Sequence, residues 1–223
     1  MHEMKIGEIT VTWFGHASFM ISDGERHIYV DPFVVPDNVK KADIILVTHD
    51  HFDHFNSQKI KMLQDKETKI VGPFGVTSKL GFGIETKAGG RHSFGNVKIK
   101  SVEAYNNNKF RAPGQPFHPR GLGVGYVIEI NDIDIYHSGD TDDITEMRQL
   151  DSVDVALLPI GGTYTMTVHE AATAALAFKP RFLVPMHYNS DKYGISGITA
   201  DPEELARMLA GKGIVVNVLK PLV

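Results

Sequence analysis

The stretch Thr48-His49-Asp50-His51-Phe52-Asp53-His54 decides the reading of this chain. It follows directly on Ile44–Val47, an all-apolar run typical of a strand buried on both faces. Three histidines and two aspartates crowd residues 49–54, far denser than an ordinary polar loop. His49 and His51 are two positions apart, so an extended or turning backbone points both rings to one side. Asp53 and His54 fall at the turn into the next helix and can face a second point close by. Imidazole nitrogen and carboxylate oxygen suit zinc and related ions. The bland alternative is a polar loop whose histidines coincide, and it leaves the density unexplained.

Composition narrows the field. A length of 223 residues suits one sizeable domain, residues 1–223, better than two. Hydrophobic residues make up 42%, enough for a proper core, which excludes a disordered or fibrous chain. The formal net charge is -4 and no Lys/Arg stripe stands out, so nucleic acid is not an expected partner. There is no cysteine, which removes disulfides, thiolate ligands and a cysteine nucleophile together. Any metal must then be held by His, Asp and Glu. Met1–Ile9 lacks the apolar core of a signal peptide, and no apolar run approaches membrane-spanning length. The expectation is a soluble cytoplasmic protein with no membrane partner.

Strand-like runs dominate the first half. Ile9–Phe14 alternates and is broken by Gly15, and Phe19–Ile21 with His27–Val30 reads as a hairpin around Asp23-Gly24. Asn56 to Lys66 reads as a helix capped by Asn56 or Ser57, with Ile60 and Leu63 inward. Val97–Ala104, Val124–Ile130 and Ile133–His137 are further strands. The second half alternates strand and helix: Val153–Leu158, a helix Thr167 to Phe178 with Thr167 and Glu170 at capping-box spacing, Phe182–Met186, a helix Pro202 to Leu209, and Ile214–Leu219. No sequence repeat or linker is visible. Antiparallel strands followed by strand–helix alternation suggest an α/β fold of two sheets with helices outside, an αββα sandwich. Tyr105–Gly125 is the exception, a long irregular segment of the kind that is functional or disordered.

The H-x-H-x-D-H pattern after a short apolar strand resembles the metal-binding signature of the metallo-β-lactamase superfamily. Trp13-Phe14-Gly15-His16-Ala17-Ser18 and Asp31-Pro32-Phe33 look like the opening segment and strand end of its lactonase-like and phospholipase-D-like branch. His137-Ser138-Gly139-Asp140-Thr141 looks like its G-D-T motif, and Pro185-Met186-His187-Tyr188 like its last ligand motif. The motifs stand in family order along nearly the whole chain. The resemblance implies that His49 and His51 bind a first metal, Asp53 and His54 a second, that Asp140 bridges both, and that His187 completes the second site. Many relatives carry a His at the end of the strand matching Val97–Ala104. This chain instead runs into Tyr105-Asn106-Asn107, and the next His is His118 in Pro116-Phe117-His118-Pro119. Ala-Tyr-Asn followed by Phe-His-Pro resembles a subgroup that moves the ligand into this loop, so His118 is the expected third ligand of the first metal. An exposed loop histidine is the other reading.

The remaining candidates carry two readings each. His16 is either an ordinary histidine or, as the resemblance implies, a substrate contact or proton shuttle at the metal mouth. Asp31 either holds a ligating His by a hydrogen bond or merely ends a strand before Pro32. His92 reads as a surface residue in the turn before the strand, His169 as a solvent-facing residue in the first turn of a helix, and His137 as packing. Gly161–Thr165 offers either anion-holding N–H groups or only a tight loop. Tyr164 and Tyr188 are pocket walls or oxyanion donors, or, as lone aromatics, simply core. Lys109, Arg111 and Arg120 either meet an anionic substrate or solvate a mobile loop.

The expected enzyme is a metal-dependent hydrolase. It uses two divalent ions, zinc first, with manganese, iron or nickel as alternatives. A water activated between them attacks a small ester, lactone or phosphoester metabolite, anionic on one reading. Asp53 is a ligand and a proton acceptor, and His16 the second catalytic candidate. No nucleophile elbow appears. A nuclease would share the site but need a basic surface or an added domain. A non-catalytic metal-binding protein would saturate its ligands. An oxygen-reducing diiron protein would normally bring a flavin domain. A homo-oligomer is compatible with all of these.

Overall fold

Residues 1–223 are all described by the structure, a computed structural model, and they divide into two compact units. The first comprises Met1–Thr86 with Leu219–Val223, the second Lys87–Val218.

The first unit is a seven-stranded sheet in chain order: β1 (Glu3–Ile6), β2 (Ile9–Gly15), β3 (Ser18–Ser22), β4 (His27–Val30), β5 (Ile44–Leu46), β6 (Lys69–Gly72) and β7 (Ile84–Glu85). The first four pair antiparallel through tight turns, and β4 to β7 pair parallel. The all-apolar β5 is buried throughout, as its composition requires of a central parallel strand. Helix α1 (Ser57–Leu63) starts where the Asn56 carboxamide oxygen accepts from the N–H groups of Gln58 and Lys59, and it buries Ile60 and Leu63. A second helix, α2 (Phe74–Leu80), follows β6.

The second unit repeats this topology. Its strands are β8 (Arg91–Phe94), β9 (Val97–Ala104), β12 (Gly123–Ile130), β13 (Ile133–His137), β14 (Val155–Pro159), β15 (Phe182–Met186) and β16 (Val215–Val216). The first four again pair antiparallel and the last four parallel. A small hairpin, β10 (Phe110–Ala112) and β11 (Gln115–Pro116), lies inside the segment expected to be irregular. The helices are α3 (Thr145–Arg148), α4 (Val168–Phe178) and α5 (Pro202–Leu209). The capping box of Thr167 and Glu170 is formed, and Lys179, left-handed before Pro180, ends α4.

The expected last strand, Ile214–Leu219, is shorter than expected. Only Val215–Val216 pairs with β15. The chain then crosses to the first unit's own backbone, where Leu222 and Val223 donate to the carbonyls of Trp13 and Phe14. The Asn217 N–H still donates to the Leu183 carbonyl at 2.8 Å before the chain leaves the sheet.

One core group is at odds with its surroundings. Tyr136 on β13 is fully buried, its hydroxyl has no hydrogen-bond partner, and burial pushes its pKa far up. An unsatisfied buried hydroxyl costs free energy. Tyr136→Phe is therefore expected to be neutral or to stabilise by about 1 kcal/mol. A urea-unfolding curve shifted to clearly lower midpoint would contradict this.

Candidate metal centre

The donors stand at the carboxyl ends of strands, where parallel sheets gather loops. In the first unit Asp31 follows β4 and the His49–His54 cluster follows β5. In the second, Asp140 follows β13 and His187 follows β15. His16, Asp31 and His187 all have left-handed backbone, with φ of 51°, 46° and 56°. Such a conformation costs a non-glycine residue roughly 1–3 kcal/mol and persists only where surroundings impose it.

In the first unit one buried carboxylate organises the cluster. Asp31 accepts from the Thr48 N–H, the Thr48 hydroxyl and the His54 Nδ1–H, each at 2.7 Å. The Thr48 hydroxyl uses its hydrogen in the bond to Asp31, so its oxygen accepts from His49 Nδ1 at 3.0 Å. Both rings are fixed with Nδ1 protonated, and Nε2 of each carries the lone pair that a metal needs. This is the holding role that one reading of the sequence gave Asp31. The His49 ring lies 4.5 Å from that of His51 and 4.2 Å from that of His54. His16 is fully buried, not a surface histidine, and its Nε2 is 3.2 Å from the Asp53 carboxylate. The ligating atoms of His16, Asp53 and His54 fall within 4.8 Å of one another.

In the second unit His118 is buried rather than exposed. Its Nε2 and that of His187 lie 3.2 and 3.1 Å from the same oxygen of Asp140. Asn106 sets the His118 ring. Its carboxamide NH₂ donates to Asp142 and to the Tyr164 carbonyl, so its oxygen faces His118 and accepts from Nδ1 at 2.8 Å and from the backbone N–H at 2.7 Å. With Nδ1 donating to Asn106, Nε2 is the ring nitrogen that faces Asp140. Gly161 lies so close to the His187 carbonyl that a Cβ would collide with it, which accounts for a glycine at that place.

Asp142 anchors the loop that carries Asn106. It is fully buried, and one of its oxygens accepts from three consecutive backbone N–H groups, Asn107 and Asn108 at 2.8 Å and Lys109 at 3.2 Å. Thr48, Asn106 and Asp142 were missed in the sequence. Tyr105-Asn106-Asn107 carried a signal there, an amide where relatives place a ligand. Thr48 and Asp142 carried none.

The loop cations are largely engaged. Lys109 pairs with Glu170 at 2.8 Å, and Arg120 pairs with Glu103 and Glu146 and covers the Tyr105 ring. Arg111 lies over the Phe117 ring and donates to the Phe117 carbonyl, next to His118. In the turn after β14, the Gly162 N–H already donates to the Met166 carbonyl. His92 lies on β8 rather than in a turn, His169 is exposed, and His137 is buried in its strand, accepting from the Gly139 N–H.

Burial alone would raise the Glu170 pKa. Hydrogen bonds from Lys109, the Thr167 N–H, Asn108 and the Thr167 hydroxyl outweigh it and hold the carboxyl at about 2, against an ordinary 4.5. A depressed carboxyl contributes stability above its unfolded pKa and loses it as pH falls through the folded value. The stability gap between the native protein and Glu170→Gln is thus expected to be full at pH 7 and to close between about pH 4.5 and 2. Chemical unfolding of both proteins across that range checks it, and a constant gap would contradict it.

The donor set fits divalent metal: imidazole nitrogens and carboxylate oxygens, buried, with no thiolate. No helix is long and apolar enough to cross a membrane.

Comparison with known proteins agrees with this chemistry. A family model described as the beta-lactamase superfamily domain matches residues 10–187. A UPF0173 metal-dependent hydrolase of Pyrococcus furiosus is 35% identical, over 96% of this chain and 97% of its own. A crystal structure described as a metal-dependent hydrolase of Parabacteroides distasonis is similar at a TM-score of 0.84, with 36% identity over 96% of this chain and 94% of that one. Igni18, a metallo hydrolase of Ignicoccus hospitalis, is similar at a TM-score of 0.77 with 27% identity over 96% and 95%. The fold is thus the α/β sandwich of the metallo-β-lactamase type that the motifs led us to expect. The chain belongs to the metallo-β-lactamase superfamily, among its UPF0173 metal-dependent hydrolases.

Proposed function

We propose that residues 1–223 act as one cytoplasmic hydrolase domain that cleaves a small ester, lactone or phosphoester with two divalent ions, zinc foremost. His49, His51 and His118 would hold one ion, Asp53, His54 and His187 the other, and Asp140 both. The observation that carries this is the fixed presentation of Nε2 by His49, His54 and His118, each through its own Nδ1 hydrogen bond. When bound, such ions supply Lewis acidity and bring the pKa of a shared water toward neutrality.

The chain's own residues do the rest. Asp53, with His16 against its carboxylate, is placed to take a proton, and His16 can pass it on. Asp31 and Thr48 keep the rings of His49 and His54 from turning. Arg111 is the loop cation left for an anionic substrate group. Lys109 and Arg120 are held by carboxylates, so we give Arg111 alone that role. A nuclease reading lacks the basic surface it needs.

The test has two arms. Elemental analysis of protein purified without chelator should find two transition-metal equivalents, and fewer in His118→Ala. Metal-loaded protein screened against phosphodiesters, lactones and thioesters should turn over one class. Metal-free protein, or unchanged metal content in His118→Ala, would refute the corresponding assignment.

A further inference from the structure

The ligand cluster carries an exposed aromatic residue. Phe52 lies between His51 and Asp53 and is 68% exposed. A single exposed phenylalanine is ordinary on a protein surface, but this one stands between two candidate ligands and meets a second ring. Its ring is 6.2 Å from that of Phe33 at 88°, and Phe33 in turn stands 6.2 Å from the His16 ring at 75°. Two rings at right angles form an open corner. Phe33 follows Asp31-Pro32, so the same strand end that orients His54 also places one wall of this corner. The second wall is fixed by the chain between two ligands. The corner thus continues directly from the pair His16–Asp53.

We propose that Phe33 and Phe52 bind an apolar, phenyl-sized group of the substrate, so that the hydrolysed bond carries a hydrophobic arm. The proposal rests on the hydrolase reading for the position of the chemistry at Asp53. The corner itself is made by residues outside that machinery. Perpendicular rings leave one face and one edge open, which suits a flat or short aliphatic group better than a charged one.

Calorimetry with methylphosphonate and phenethylphosphonate, on the metal-loaded protein, tests it without turnover. Phenethylphosphonate is expected to bind at least about tenfold more tightly. Phe52→Ser should close most of that gap at unchanged metal content, and Phe33→Ser should do the same. Equal affinity of the two probes, or binding of neither, overturns the proposal. Hydrolysis of a short ester by the same sample then shows whether the hydrolase reading still stands. A gap that survives both substitutions places the apolar contact elsewhere. A dimer that dissociates on Phe52→Ser gives the corner to a second copy of the chain and overturns the proposal as well.

Discussion

Asp53→Ala is expected to abolish hydrolysis of whichever ester, lactone or phosphoester proves to be turned over. Loss of a positioned proton acceptor alone costs about 10²–10⁴-fold in rate, and loss of a metal ligand adds to that. Two readouts separate the roles. Asp53→Asn keeps an oxygen ligand but not the basicity. If kcat collapses in Asp53→Asn while metal content stays near native, Asp53 acts as the proton acceptor. If metal is lost in step with rate, it acts chiefly as a ligand. His16→Gln should give a smaller loss in kcat with metal retained, since His16 acts through Asp53. Turnover surviving in Asp53→Ala at full metal content would sink the assignment.

The second large effect is expected at Asp142, which touches no proposed substrate. Its buried carboxylate holds three backbone N–H groups and the Asn106 amide, with the Lys109 ammonium 3.8 Å away. Asp142→Ala leaves those donors without their acceptor, a loss of about 3–5 kcal/mol for a broken buried charged contact. Through Asn106 it also frees the His118 ring, and losing the hydrogen bond that orients a ligating ring costs metal affinity about 10–100-fold. Asn106→Ala should reproduce the metal effect with a smaller fall in unfolding free energy. If Asp142→Ala unfolds at the native denaturant midpoint, the anchoring role is wrong.

The sequence made some of this legible for definite reasons. Its density exposed the His49–His54 cluster, and Asp140 and His187 were singled out by motifs in family order, since a lone Asp or His at a strand end is ordinarily a cap. Hydrophobic periodicity located β2, β5, β9 and α4 well, because each buries a regular stripe or a continuous run. Short elements such as α2, β7 and α3 escaped, since two to seven residues carry too few periods to register. The repeat of sheet topology escaped too, because shared strand order leaves no sequence period. Asp142 looked like any acidic residue after a G-D-T motif. Its role depends on three amides of a loop far away in sequence, and the spacing between them carries no pattern.

The repeated sheet order also fixes an order of events in folding. In each unit the strands that come first meet through hairpins, β2 with β3 and β3 with β4 in one, β8 with β9 and β12 with β13 in the other. Closing such short loops costs little chain entropy. The parallel strands that follow need crossovers, and non-local pairing of that kind forms slowly. The clusters around His49 and His187 sit after these later strands. In each half the hairpin strands are thus expected to pair before the clusters at His49 and His187 come together. A nascent chain displays few converged histidines with which to scavenge the wrong ion, and metal selection is left to the nearly finished protein.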